Sequence, residues 1–306
     1  MEYKLLTRQT PQGPRAGIAV GDQVYDAAEL TANPAHSQML SLLDDWSTVD
    51  ALLAGMDGVP DNVKAEPLAS AELLAPILYP GEIWAAGANY SEHIEEMAEG
   101  SEYKAVNAKT ISGGRAWFFA KTSRSAVVAH KSTNPLPAWS DKVDWEIELA
   151  VVIGRQAKNV KVKDALDYVA GYTIANDLSA RDFAARPGIE PDSPFRFDWL
   201  SHKGFEASCP MGPWIVPSRF IPDPHKLGLK LWIGDELMQD SSTKFMIFDI
   251  AEQIEEISAR VTLHPGDVIL TGTPAGVGLT RGRFLKPGER LRLWIEGIGE
   301  LEHGFD

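Results

Sequence analysis

The stretch Asp144-Trp-Glu-Ile-Glu-Leu-Ala-Val-Val-Ile-Gly154 constrains this chain more than any other. Along a strand, side chains alternate between the two faces. Trp145, Ile147, Leu149, Val151 and Ile153 then line one face, all apolar. The other face carries Asp144, Glu146 and Glu148 and turns apolar at Ala150 and Val152. The strand therefore starts acidic on one side and runs into a core buried on both sides. A half-solvated strand with an acidic outer face is one reading. Against it, three carboxylates spaced by two repel one another and are tolerated near a core when a cation neutralises them. Oxygen-only ligands suit a hard ion, Mg2+ first, with Mn2+ or Ca2+ behind it.

The rest of the chain sets the context. At 306 residues it is long for one core and comfortable for two. Hydrophobic residues make up 44% and charged residues 24%, the balance of a globular chain rather than a disordered or fibrous one. With 29 Lys+Arg against 43 Asp+Glu the net charge is −14, a field that repels phosphate backbones and anionic lipid. No nucleic-acid or membrane partner is expected. The single cysteine, Cys209, rules out an internal disulfide and any multi-cysteine zinc site. No apolar run approaches the roughly 18 residues of a membrane span, and Met1–Arg8 carries no signal-type apolar core. A cytoplasmic location is the expectation.

The first part reads as a small α/β unit. Ala16–Val20 and Gln23–Ala27 flank Gly21-Asp22, a hairpin turn signal, and apolar residues from Gln38 to Leu53 recur at helical spacing. Gly55–Pro67 has loop composition. A boundary shortly before Pro80 divides the chain into a small domain, 1–77, and a larger one, 78–306. Two long loops are expected within the second, at Glu99–Arg115 and Ala184–Trp199.

Four further segments carry chemistry-bearing side chains. Tyr168–Arg181 ends its β-prone run at Asn176-Asp177, where Asp177 is either a third ligand or a turn residue. Arg181 shares a face with Asp177 if a helical turn follows, in one reading as a plain ion pair. In Asn89-Tyr-Ser-Glu-His-Ile-Glu-Glu-Met97, His93 and Glu96 fall on one helical face, either as a base with its orienting carboxylate or as ordinary surface residues. His202-Lys203-Gly204 places a lysine after the second long loop. Pro265–Gly278 runs a strand into a glycine-rich turn, an anion cradle or a structural turn; it fits neither a phosphate-binding P-loop nor a dinucleotide fingerprint.

Together these segments resemble the fumarylacetoacetate hydrolase (FAH) family. The likeness runs from about Pro80 through Phe305, with GANYSEHIEEM, FFAKTSRSAVV, VDWEIELAVVIGR, YVAGYTIANDLSARD, HKGFEASCPMGPWIV and PGDVILTGTPAGVG in order. It implies a β-rich α+β fold, an FAH-type mixed β-sandwich roll preceded by a small α/β domain and assembled as a homodimer. It implies Glu146, Glu148 and Asp177 as ligands of Mg2+ or Mn2+, and His93 with Glu96 as a water-activating dyad. Lys203 and Arg181 would stabilise an oxyanion, Thr273 would touch the substrate carboxylate, and Lys121 takes a position where the family carries a basic residue. Asp144 stays outside the ligand set. The implied activity is hydrolysis of a carbon–carbon bond in a 1,3-dicarbonyl or acylpyruvate-type 2-keto acid. The alternative is decarboxylation of an oxaloacetate-type acid, or isomerisation of a ring-fission product, at the same site. Many relatives read Arg-Asp-x-Gln where this chain has Arg181-Asp-Phe-Ala184, which leaves more oxyanion work to Lys203 and Arg181.

Overall fold

A computed structural model describes residues 1–98 and 114–306. The long loop expected at Glu99–Arg115 lies outside the described residues except for its last two positions. The strand Ile147–Ile153 is central. It pairs antiparallel with Val169–Asn176 on one side and with Val268–Leu270 on the other. From there the sheet extends through Ile83–Ala86 to Phe118–Lys121, and in the opposite direction through Cys209–Pro217 to the N-terminal strands Lys4–Thr10, Gly13–Val20, Gln23–Asp26 and Ala65–Pro67. A second sheet holds Glu236–Ser242, Gly228–Ile233, Arg290–Ile295, Gly299–Phe305 and Thr133–Asn134.

The alternation read from the sequence decides how these layers stack. Trp145, Ile147, Leu149, Val151 and Ile153 join Leu229, Leu231, Leu291, Leu293 and Leu301 of the second sheet in one core. Ala150 and Val152, on the opposite face, join Leu5, Ile18, Leu42, Trp46 and Val49 in another. Residues 1–77 thus share a core with the central strand, and Leu5 pairs with Ile215 across the expected 77/78 boundary.

Two local readings are refined. The hairpin forms with Val20 opposite Gln23, and Gly21 takes the positive φ that its turn needs. The helical pattern from Gln38 to Leu53 becomes two helices, Met39–Asp44 and Trp46–Ala54. Asp45, at φ −103° and ψ 23°, leaves helical geometry between them; aspartate is a weak helix-interior residue, and apolar side chains of both pieces still reach one core.

Candidate metal centre

The three acids predicted to converge do so. Glu148 lies on the central strand and Glu146 immediately precedes it, and Asp177 follows the end of Val169–Asn176, the strand paired with it. Each offers an oxygen within 4.8 Å of the others, and all three are buried. Antiparallel pairing explains the convergence: Ile147 lies opposite Asn176, so the two strand ends bring their acids to the same corner.

Three cations close around them. Lys203, at the end of the short helix Trp199–Lys203, donates to Glu146 Oε2 at 2.7 Å and to Asp177 Oδ2 at 2.6 Å. Lys121, whose side chain is wholly enclosed, donates to Asp177 Oδ1 at 2.5 Å and to the Lys203 carbonyl oxygen. Arg181 spans Asp144 and Glu146, with Nε 2.8 Å from Asp144 Oδ2 and Nη2 2.5 Å from Glu146 Oε1. Arg181 and Lys121 are thus committed to the protein's own carboxylates. Thr273 is committed as well: its hydroxyl donates to the Ile147 carbonyl at 2.9 Å and accepts from Gln239 Nε2 at 2.9 Å.

The electrostatics single out Glu148. Burial pushes the Glu146 carboxyl up, but Lys203 and then Arg181 outweigh it and hold the group well below the usual range. Burial likewise raises Glu148, and Asp177 and Glu146 raise it further. Its Oε2 accepts the Gly272 N–H at 2.6 Å, but no salt bridge to a cation forms among the described residues. With all four carboxylates ionised, Asp144 included, they meet three cations and leave one negative charge in excess, the charge that burial makes costly on Glu148. An all-oxygen donor set with an unmatched buried charge fits a hard divalent ion.

The glycine-rich turn resolves into an anion cradle whose anions are the protein's own. Gly272 N–H serves Glu148, Gly276 N–H serves Glu96 at 2.9 Å, and Gly278 and Leu279 N–H groups serve Asp144 at 2.6 and 3.0 Å. A Cβ at Gly278 would sit 2.7 Å from Asp144 Oδ1, so the glycine is needed for that approach.

His93 and Glu96 lie on the helix Ser91–Ala98, as their spacing predicts. His93 Nδ1 is 3.8 Å from Glu96 Oε2. Glu96 is fixed by Gly276 and by the Thr280 hydroxyl at 2.7 Å. Burial raises its carboxyl, but the hydrogen bonds from Gly276 and Thr280, with the nearby His93, together lower it below the ordinary value. His93 also helps to hold Glu146 low, which sets it close to the carboxylate cluster.

Sequence reasoning missed the supporting residues. Asn176 accepts the Glu146 N–H and contacts buried His303, while Gln239 accepts the Ile147 N–H. Asn89 donates to the carbonyls of Phe248 and Thr271 and accepts the Phe248 N–H, anchoring the segment that leads into the His93 helix. The neighbouring residue in sequence marks Asn176 and Asn89; Gln239 and His303 carry no local signal.

Two large stacked sheets with a buried carboxylate trio beside a His–Glu helix define a class of acid-rich enzyme centre. The chain belongs to the fumarylacetoacetate hydrolase family: residues 82–305 match the fumarylacetoacetate (FAA) hydrolase C-terminal domain. It is 38% identical over 305 residues to the mitochondrial oxaloacetate tautomerase Fahd2a of Rattus norvegicus, covering 97% of this chain and 90% of that one. Among solved structures it is similar to the fumarylacetoacetate hydrolase of psychrophilic Exiguobacterium antarcticum, with TM-score 0.78, 28% identity and 98% of each chain covered. It is also similar to maleylpyruvate hydrolase of Sphingobium sp. SYK-6, solved with manganese(II) and pyruvate, with TM-score 0.72, 30% identity, and 100% of this chain and 98% of that one covered. Among the described residues no helix is long and apolar enough to cross a membrane.

Proposed function

We propose that the protein is a metal-dependent enzyme that enolises 2-keto acids, interconverting the keto and enol forms of an oxaloacetate-type substrate. The supporting observation is the buried trio Glu146, Glu148 and Asp177 set beside the His93–Glu96 pair, in a chain similar along its length to an oxaloacetate tautomerase. Mg2+ or Mn2+ held by the trio would supply Lewis-acid polarisation of the 2-oxo group.

The chain's own residues account for the rest. Glu96, kept anionic by Gly276 and Thr280, stands 3.8 Å from His93 Nδ1, placed to orient the imidazole. His93 takes the proton from the carbon next to the 2-oxo group and returns it to oxygen or carbon. Lys203, charged because Asp177 and Glu146 outweigh its burial, adds positive charge where the 2-oxo oxygen turns negative. The excess negative charge of the cluster becomes one positive charge with a divalent ion, which a substrate carboxylate balances. Burial excludes competing water and strengthens these interactions.

Hydrolysis of an acylpyruvate is the second reading, favoured by the likeness to maleylpyruvate hydrolase. There His93 would deprotonate a water that attacks the distal carbonyl, and the intervening C–C bond would break. Purified protein with Mg2+ separates the two. Enolisation predicts accelerated decay of the oxaloacetate enol absorbance, slowed about 10²–10⁴-fold by His93→Ala. Pyruvate release alongside it would report decarboxylation. Cleavage of an acylpyruvate with no acceleration of oxaloacetate interconversion would overturn the proposal.

A further inference from the structure

A row of aromatic rings leads from Lys203 to the surface. Phe119 shares a strand face with Lys121, and Lys203 Nζ lies 5.1 Å from the centroid of its ring. Trp199 stacks on Phe119, with centroids 5.2 Å and planes 13° apart. Phe197 stacks on Trp199 at 6.0 Å and 23°, and Trp117 meets Trp199 edge-on at 5.7 Å. Trp117 and Trp199 are each 39% exposed and Phe197 55%, so the outer rings are not core residues. Next to Trp199, the His202 ring lies at 5.8 Å with a buried Nε2 that has no hydrogen-bond partner among the described residues.

We propose that this row is the subsite for the far end of the substrate, and that the preferred substrates are 2-keto acids carrying a planar aromatic group on the carbon that loses the proton. The inference rests on the enolisation reading, keeping its chemistry and assigning an aryl-substituted rather than an oxaloacetate-type preferred substrate. Lys203 joins the two regions, since it touches both the carboxylate trio and Phe119. A four-carbon dicarboxylate would press its second carboxylate towards ring faces, which carry negative potential. An aromatic substituent would instead stack on them and cover exposed apolar surface, the kind of patch that marks a binding region.

The test uses the full-length, Mg2+-loaded protein with phenylpyruvate and oxaloacetate as probes, read both as keto–enol interconversion and as calorimetric binding of phenylpyruvate. The wild type should process phenylpyruvate at least as efficiently as oxaloacetate. Trp199→Ala should lower kcat/KM for phenylpyruvate about 10- to 100-fold, mainly through KM, and shift the phenylpyruvate-to-oxaloacetate preference towards oxaloacetate by at least that factor. Trp199→Phe should restore most of the loss, which a folding defect would not. If phenylpyruvate binds with Trp199-dependent affinity but neither acid is interconverted, the subsite stands and the enolisation reading fails. The proposal is overturned if oxaloacetate is processed and phenylpyruvate neither binds nor reacts, or if Trp199→Ala slows both substrates alike. It also falls if Trp199→Ala changes only the monomer–dimer equilibrium, because the rings would then be an interface between copies.

Discussion

Acid should strike this protein through His303. The residue lies on Gly299–Phe305, fully buried, with Asn176 Nδ2 2.9 Å from its Nε2 and no hydrogen-bond partner for Nδ1 among the described residues. The Asn176 amide is oriented by the Glu146 N–H, which its Oδ1 accepts at 2.9 Å, so Nδ2 donates and His303 Nε2 must accept. Protonation would set two N–H donors against each other in the core. Burial, with a smaller contribution from Arg290, pulls the imidazole from 6.5 down to about 3. The unfolded chain thus takes up a proton near pH 6.5 and the folded chain does not until about pH 3. The stability tied to this residue is complete above pH 6.5 and drains away as pH falls through that window. At about 1.4 kcal/mol per pH unit, moving from pH 7 to pH 5 removes about 2 kcal/mol. His303→Gln keeps an acceptor for Asn176 and has nothing to titrate. Urea denaturation of both proteins at the two pH values should show the wild type's advantage at pH 7 shrinking by about 2 kcal/mol at pH 5. An advantage of constant size would refute the reasoning.

Metal dependence and the Arg181 bridge give two more tests. Mg2+ at about 100 times its Kd should stabilise the wild type by about 2.7 kcal/mol, seen as an EDTA-reversible rise in Tm; Glu148→Gln should erase that rise, and its persistence would place the ion elsewhere. Asp144→Ala leaves Arg181 with Glu146 alone and strands the Gly278 and Leu279 N–H groups, and should cost about 1–3 kcal/mol in denaturant unfolding; a loss under about 0.5 kcal/mol would show that Asp144 does not hold these groups.

The acidic strand was legible because two signals coincide on it. A period of two separates its faces, and like charges on one face demand a counter-charge. The His93–Glu96 spacing was legible for the parallel reason on a helix. What stayed hidden depends on which distant segments meet. Glu96 takes its N–H from Gly276, 180 positions away, and Gln239 reaches Ile147 from 92 positions away. No local period encodes such pairings. Lys121, Arg181 and Thr273 show the same limit differently: the sequence brought polar residues to the right corner, but burial decides that they first satisfy one another and the backbone.

The glycine-rich turn explains how a cluster with more carboxylates than cations can be buried at all. Backbone N–H groups supply partial positive charge without side-chain bulk, and here they reach Glu148, Glu96 and Asp144 in turn. The close approach has a steric condition. A Cβ at Gly272, whose φ is +96°, would come within 2.7 Å of the Asn89 Cβ, and one at Gly276 within 2.2 Å of the Met238 carbonyl oxygen. The glycines therefore set how near the turn can lie to the acids, and that distance sets how much of their charge is met by backbone. The remainder, centred on Glu148, is what a cation must match. We propose that the strength of metal binding by this trio depends as much on the spacing of Gly272, Gly276 and Gly278 as on the acids themselves.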